Sequence, residues 1–334
     1  MTFAIEKARR ILVHKPDRGG DALCAAPAIA RLAGAAPEAE LWIATTRSGA
    51  AFLRALNITA RFRELSGPAW WKGVEAFTYP TWARSMRFDL AVNLRYDFRD
   101  IAATRLLGAR AVATYTHKNW GRSAQFPAPS PREDRSEIEN HLEVAAAIGF
   151  PVGHDVAPWA APESALHEAR EKLGAGRATA FHPFAGTPAK TLPDETARRV
   201  LEILLDTSDR VALIGGPESQ AAAARLAETD GRVVNLVGRT SAAELLAVLA
   251  VCRLLVSTDS APGHAARAVG TPVVSLMSGT NEPARWAPRG ARVVRHAVAC
   301  APCHAERCRV AGHPCLADLP VDAVGAAVAE AMIR

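Results

Sequence analysis

The stretch Asp259-Ser260-Ala261-Pro262-Gly263-His264 combines an acid, a hydroxyl, a proline and an imidazole at the start of a short helical segment. An apolar run, Leu254-Leu255-Val256, precedes it. Gly270-Thr271-Pro272 stops the helix before a second apolar run, Val273 to Leu276. The pattern is strand, turn, helix, strand. Pro262 suits the first helical turn, where its missing N–H is not needed. The helix therefore opens at the carboxyl end of a strand, where open α/β sheets bind ligands. Its unpaired N–H groups and the positive end of its dipole suit a phosphate, with His264 in the first turn. The plainer alternative is an ordinary crossover in which Asp259 caps the helix and His264 is a satisfied polar residue.

Two other stretches carry comparable chemistry. Pro16-Asp17-Arg18-Gly19-Gly20-Asp21 follows the strand pattern Arg10 to Lys15 and precedes helical periodicity over Leu23 to Leu32. Its paired glycines let the backbone bend tightly toward a ligand. Asp21 either caps the helix or faces a ligand, and the residues alone favour the cap. The stretch Pro183 to Pro193 follows the strand Ala178 to His182 and holds one lysine, Lys190, which can set an ammonium over a diphosphate or sit solvated at the surface.

These motifs resemble those of glycosyltransferase family 9, the lipopolysaccharide heptosyltransferases. Asp259 to His264, the Ala-rich helix and Gly270-Thr271-Pro272 are similar to the family's D-T-G-x-x-H-x-A-A-A-x-G-x-P signature, with Ser260 for Thr and Ala261 for Gly. Gly20-Asp21 followed by Leu23 to Leu32, with Pro27 and Ala28, resembles its amino-terminal G-D and L-x-x-x-P-A-I/L-x-x-L pattern. Lys190 and Pro193 match its P-G-A-x-x-x-K-x-W-P loop, Leu192 standing for the aromatic. Gly215 to Glu218 resembles a loop beside the ribose. Leu236 to Leu245, including Thr240, resembles a stretch beside the nucleobase, and Pro283 to Pro288 resembles a D/E-P-x-R-W-x-P segment.

The resemblance implies a GT-B fold of two Rossmann-like α/β domains with parallel sheets facing a cleft. It also implies inverting transfer from ADP-L-glycero-β-D-manno-heptose to inner-core lipopolysaccharide. Asp21 would be the general base and Lys190 the charge that stabilises the leaving diphosphate. The donor contacts would be Gly20, Glu218, Thr240, Asp259, Ser260, Ala261, Gly263 and His264. No cofactor is required. The competing reading is a non-catalytic module that binds a nucleotide sugar or lipid A, or a transferase of another sugar to a different acceptor. A binding module has no use for a base.

The elements that must position these groups alternate throughout the chain. In the first half, strands are expected over Arg10 to Lys15, Glu40 to Thr45, Asp89 to Leu94 and Ala109 to Tyr115, with helices between. A helix from Ser136 to Ile148 has a capping-box pattern in Ser136 and Glu139. Arg95 and Arg99 stand at or just past a strand end, where a guanidinium suits an anionic acceptor. Solvated surface arginines are the equal alternative. His117 to Arg135 reads as a mobile acceptor-side loop carrying Lys118 and Arg122. The aromatics Trp70, Trp71, Tyr79 and Trp82 read as core packing, lid surface or acceptor contact. Phe150 to Pro162, with three prolines, is the expected linker. The second half repeats the alternation over Ala178 to His182, Val211 to Gly215, Val233 to Val237, Leu254 to Thr258 and Val273 to Met277. The domains are then 1–155, 156–318 and a final helix within 319–334 expected to pack back on the first domain.

A chain of 334 residues, 49% hydrophobic and 22% charged, suits two globular domains. Neither half carries G-x-G-x-x-G after its first strand, which argues against a nicotinamide dehydrogenase. The net charge of +6 favours an anionic partner. No basic stripe interleaved with aromatics is visible along the chain, so no nucleic-acid partner is expected. Without a signal-peptide or spanning segment, the chain is expected in the cytoplasm, at most peripheral to the inner face of the cytoplasmic membrane. Cys300, Cys303, Cys308 and Cys315, with His304 and His313 between, leave three options open: a structural zinc, reduced thiols or an occasional disulfide.

Overall fold

The computed structural model describes residues 4–118, 120–150 and 158–333. The chain divides into two compact units, Met1–Ala157 and Pro158–Arg334. The expected linker falls largely on 151–157, outside the described residues.

The first unit is a parallel sheet of β1 (Arg10–Lys15), β2 (Glu40–Thr46), β3 (Arg61–Leu65), β4 (Leu90–Asn93), β5 (Ala111–Tyr115) and β6 (Phe126–Ala128), in the order β3-β2-β1-β4-β5-β6. The second unit holds β7 (Ala178–His182), β8 (Arg210–Leu213), β9 (Val233–Asn235), β10 (Leu254–Thr258), β11 (Val273–Leu276) and β12 (Arg292–Val294), in the order β12-β11-β10-β7-β8-β9. Each unit therefore runs 3-2-1-4-5-6 in its own numbering, the doubly wound order whose direction reverses between its first and fourth strands. Here those pairs are β1 with β4 and β7 with β10, in registers that set His14 beside Asn93 and His182 beside Ser257.

The central strands are apolar on both faces because helices cover both faces of the sheet. Ile11, Leu12 and Val13 are buried, as are Leu254, Leu255 and Val256. In the first unit the aromatic segment supplies a helix, Glu75–Met86, whose Tyr79 packs with Trp70 and Phe88 against Leu12 and Leu107. Ser136 caps the helix Glu137–Ala147 with the expected reciprocal Glu139 contact.

One expectation is corrected. The stretch from His117 to Arg135 is not all loop, because Phe126–Ala128 pairs with β5 as a sixth strand. The last helix, Val321–Met332, falls within the second unit. Its Val321, Val324 and Val328 share the core of Val200, Leu204 and Leu316. Each such side chain contributes about 1.5–3 kcal/mol on burial, so this face ties the helix to the second unit's core.

Candidate donor and acceptor sites

In the second unit, the helix Ala261–Ala268 begins where β10 ends, with Ser260 at its N-cap. Neither Ser260 nor Asp259 caps it through a side chain. The Ser260 hydroxyl instead donates back to the Thr258 carbonyl at 3.1 Å. Asp259, buried with its side chain 5% exposed, accepts at a single Oδ2 from Lys190 Nζ at 2.7 Å and from Asn281 Nδ2 at 2.7 Å. The cap alternative for Asp259 therefore fails, and its carboxylate anchors a lysine beside a helix N-terminus. Lys190 closes a short turn, Pro188–Lys190, and its side chain is 21% exposed, so the anchored ammonium still reaches solvent. Ala261 and Pro262 fill the first helical turn. Gly263 makes room for Pro288, whose Cγ would lie 2.9 Å from an added Cβ. His264 is half-buried one residue further on. A lysine and a helix dipole end at one strand terminus form a charge set suited to a diphosphate.

The neighbouring strand ends complete this rim. Gly238, at φ +69°, brings its N–H to the Gly215 carbonyl at 2.9 Å, a conformation and a closeness that a side chain would oppose. Glu218 is exposed, with its carboxylate folded over Gly216. Thr240 directly precedes Ser241, which caps the next helix. Sequence reasoning missed two residues here, Asn281 and His182. The buried His182 ring bonds the Ile214 carbonyl through Nδ1 at 2.8 Å, and burial pushes its pKa down to about 4. The imidazole is thus neutral, and Nδ1 is the donor.

In the first unit, the helix starts at Gly19, earlier than expected, so Gly20 and Asp21 lie in its first turn rather than before it. Arg18 holds the N-cap position without a side-chain cap of its own, and Asp21 follows three residues later in the first turn. Asp21 is half-buried and close enough to Lys15 to act on its charge. Burial lowers the pKa of the Lys15 ammonium, but Asp17, Asp21 and Glu137 outweigh that and leave it raised. Lys15 Nζ reaches Asp17 at 2.8 Å.

Arg95 does not stand free for an anion. It links Asp17, at 2.9 Å, to the buried Asp100. Asp100 also accepts from His14 Nε2 at 2.8 Å and from Trp70 Nε1 at 2.6 Å. Burial pushes its carboxyl up, but the His14 bond, the nearby charges and Trp70 prevail and hold it below the usual carboxylate range. The chain Lys15–Asp17–Arg95–Asp100–His14 fixes the loops after β1 and β4 against each other, and sequence reasoning saw only its arginine. Arg99 is exposed and lies over the rings of Trp71 at 4.8 Å and Phe98 at 4.5 Å. Lys118 and Arg122 are exposed beyond β5, Lys118 in the left-handed region at φ +53°.

Among the described residues, all six cysteines are free and no group of three or more His, Cys, Asp and Glu side chains is arranged to hold a metal ion. Cys315 lies in the second unit's core, and burial raises its thiol pKa, with Cys300, Cys303 and Cys308 near enough to add to the effect. Cys300 and Cys308 are exposed. The four thiols are therefore neighbours.

Residues 84–313 match the family model described as glycosyltransferase family 9 (heptosyltransferase). The chain is 28% identical over 219 residues to lipopolysaccharide heptosyltransferase 3 of Escherichia coli (strain K12), a match covering 61% of this chain and 62% of that protein, a little under two thirds of its length. It is 29% identical over 101 residues to lipooligosaccharide heptosyltransferase 2 of Campylobacter jejuni, covering 30% and 32% of the two chains. Among solved structures, a family 9 glycosyl transferase from Veillonella parvula superposes with TM-score 0.77 at 18% identity over 100% of this chain and 99% of that one. The E. coli ADP-heptose lps heptosyltransferase II superposes with TM-score 0.76 at 18% identity, over 97% and 98%. At such identities the superpositions establish the fold, two Rossmann-like units of the GT-B type.

Proposed function

The chain belongs to glycosyltransferase family 9, and from that premise we propose that it is an inverting transferase moving heptose from ADP-L-glycero-β-D-manno-heptose to the inner core of lipopolysaccharide. The observation that carries this reading is the Lys190–Asp259 pair at the N-terminus of Ala261–Ala268. Lys190, the positive end of the helix Ala261–Ala268 and His264 hold the donor diphosphate, with Ser260, Ala261 and Gly263 shaping the turn. Glu218 takes the ribose and Thr240 lies by the nucleobase.

Asp21 accepts the proton of the attacking acceptor hydroxyl. The bond from that oxygen to the anomeric carbon forms as the bond from the anomeric carbon to the diphosphate oxygen breaks. ADP departs with the electron pair, its growing charge met by Lys190 and the helix dipole. Gly20 lets the backbone approach beside the base. Arg95, held by Asp17 and Asp100, positions the loop after β4, while Arg99, Lys118 and Arg122 offer charge to a phosphorylated acceptor.

The chemistry calls for no cofactor, and zinc, if bound by the thiols, is structural. No helix of the described residues is long and apolar enough to cross a membrane. The proposed place of work is the cytoplasm, at the inner face of the cytoplasmic membrane where a lipid-anchored acceptor is reached. The test is a donor screen by mass spectrometry, in which the protein is incubated with nucleotide sugars and an acceptor extract. A mass gain of one heptose from the ADP-linked donor is expected. Transfer of a different sugar would overturn the donor assignment, and donor binding without any transfer would return the chain to the binding-module reading.

A further inference from the structure

Several of the most exposed large apolar side chains of the first unit gather at one end of its sheet. Val74 is 72% exposed, Phe77 76%, Trp120 52% and Phe98 43%. They stand on the loops and helix starts after β3, β4 and β5, where basic side chains lie against neighbouring rings. The Lys72 ammonium lies 4.9 Å from the centre of the Trp71 ring, and Arg99 lies 4.8 Å from the same ring. Arg99 also lies over Phe98. From Phe98 the surface continues through Tyr96, whose hydroxyl meets His117 Nδ1 at 2.7 Å, to Trp120, which pairs with His117 through backbone hydrogen bonds. Lys72, Lys118 and Arg122 are exposed along it. Its acids are occupied, since Glu75 accepts from Ser66 and Asp97 caps a helix and faces Arg99.

Apolar side chains so far out in water serve nothing in the unit's own core, which Trp70 and Tyr79 already fill. Aromatic rings beside a surplus of cations match the headgroup layer of an anionic bilayer, where rings sit at the interface and lysine and arginine meet lipid phosphates. We propose that this face, centred on Val74, Phe77, Phe98 and Trp120 with Lys72 and Arg99, docks the protein on an anionic lipid bilayer. The inference rests on the transfer reading for which membrane that is, but the docking itself is measurable without any transfer.

The experiment is co-sedimentation of the full chain with phosphatidylglycerol vesicles and with phosphatidylcholine vesicles. Transfer to a soluble, lipid-free acceptor fragment is followed in parallel. Val74→Ser with Phe77→Ser, and Lys72→Glu separately, are compared with the parent. The parent sediments with phosphatidylglycerol, releases at high salt and ignores phosphatidylcholine. Lys72→Glu weakens partition by about fivefold or more, the scale of one cation near a charged surface. The apolar pair of substitutions weakens it further, and all three proteins transfer equally to the soluble fragment. Absence of vesicle binding by the parent, or binding indifferent to these substitutions, overturns the proposal and leaves the transfer reading standing. A dimer that dissociates in the Phe77→Ser protein, with no vesicle binding, would give the face to a second copy. Failure of transfer with intact vesicle binding would overturn the transfer reading and keep the surface.

Discussion

The Lys190 ammonium lies 2.7 Å from the Asp259 carboxylate, at the point where the loop after β7 meets the helix after β10. Asn281 holds the same carboxylate oxygen from a third loop. The pair keeps a long, flexible side chain in one place before any ligand arrives, which lowers the entropy lost on binding. On the proposed donor reading, an incoming diphosphate would share Lys190 with Asp259.

Lys190→Ala should therefore weaken both ADP binding and turnover, because a fixed charge beside the diphosphate acts in the ground state and in the transition state. A charge-assisted contact of this kind is worth about tenfold to a hundredfold in affinity. Calorimetry with ADP reads the effect, and an unchanged affinity would remove Lys190 from the donor site.

Protonation of His182 links pH to the stability of the second unit. Its pKa is about 4 in the folded unit and about 6.5 in an unfolded chain, so the unfolded state binds the proton more readily. The His182 contribution is complete above about pH 6.5 and is lost as pH falls toward 4, a change of roughly 3 kcal/mol in all. Hydrogen exchange of the β7 and β8 amides, corrected for intrinsic rates, should show this loss in the parent and much less of it in His182→Phe. Equal pH dependence in the two proteins would mean that His182 is not the linked group.

Transfer should survive a strong chelator, since neither the base nor the leaving-group charge involves a metal. Elemental analysis reports whether the thiols of Cys300, Cys303, Cys308 and Cys315 carry zinc. Activity lost on chelation and restored by zinc would show that the cysteine loop bears on catalysis.

The two switch points were legible because their strands are buried on both faces and so read as unbroken apolar runs, Ile11-Leu12-Val13 and Leu254-Leu255-Val256. Phe126–Ala128 escaped notice because a three-residue strand at a sheet edge, with Pro127 at its centre, has neither the length nor the alternation that marks a strand. His14 and His182 stand at the penultimate and last positions of their strands, and nothing local announces the Asp100 or Ile214 partner that orients each ring. Asn281 and Asp17 are similar cases, because their partners Asp259 and Arg95 come from other loops. The basic and aromatic surface was invisible for the same reason. Trp71, Phe98 and Trp120 belong to three separate connections, and only the sheet brings them to one end.

The measurement that bears most directly on the proposed chemistry compares the parent with Asp21→Asn for donor affinity by calorimetry and for heptose transfer by mass spectrometry. The substitution keeps the side chain's shape in the first turn of Gly19–Ala35 and removes its capacity to take a proton. Donor affinity should be unchanged while turnover falls by about 100-fold or more, the scale of losing a general base. Near-normal turnover by Asp21→Asn would contradict the account and leave Asp21 with the neighbouring charges of Lys15 and Glu137 as a structural group.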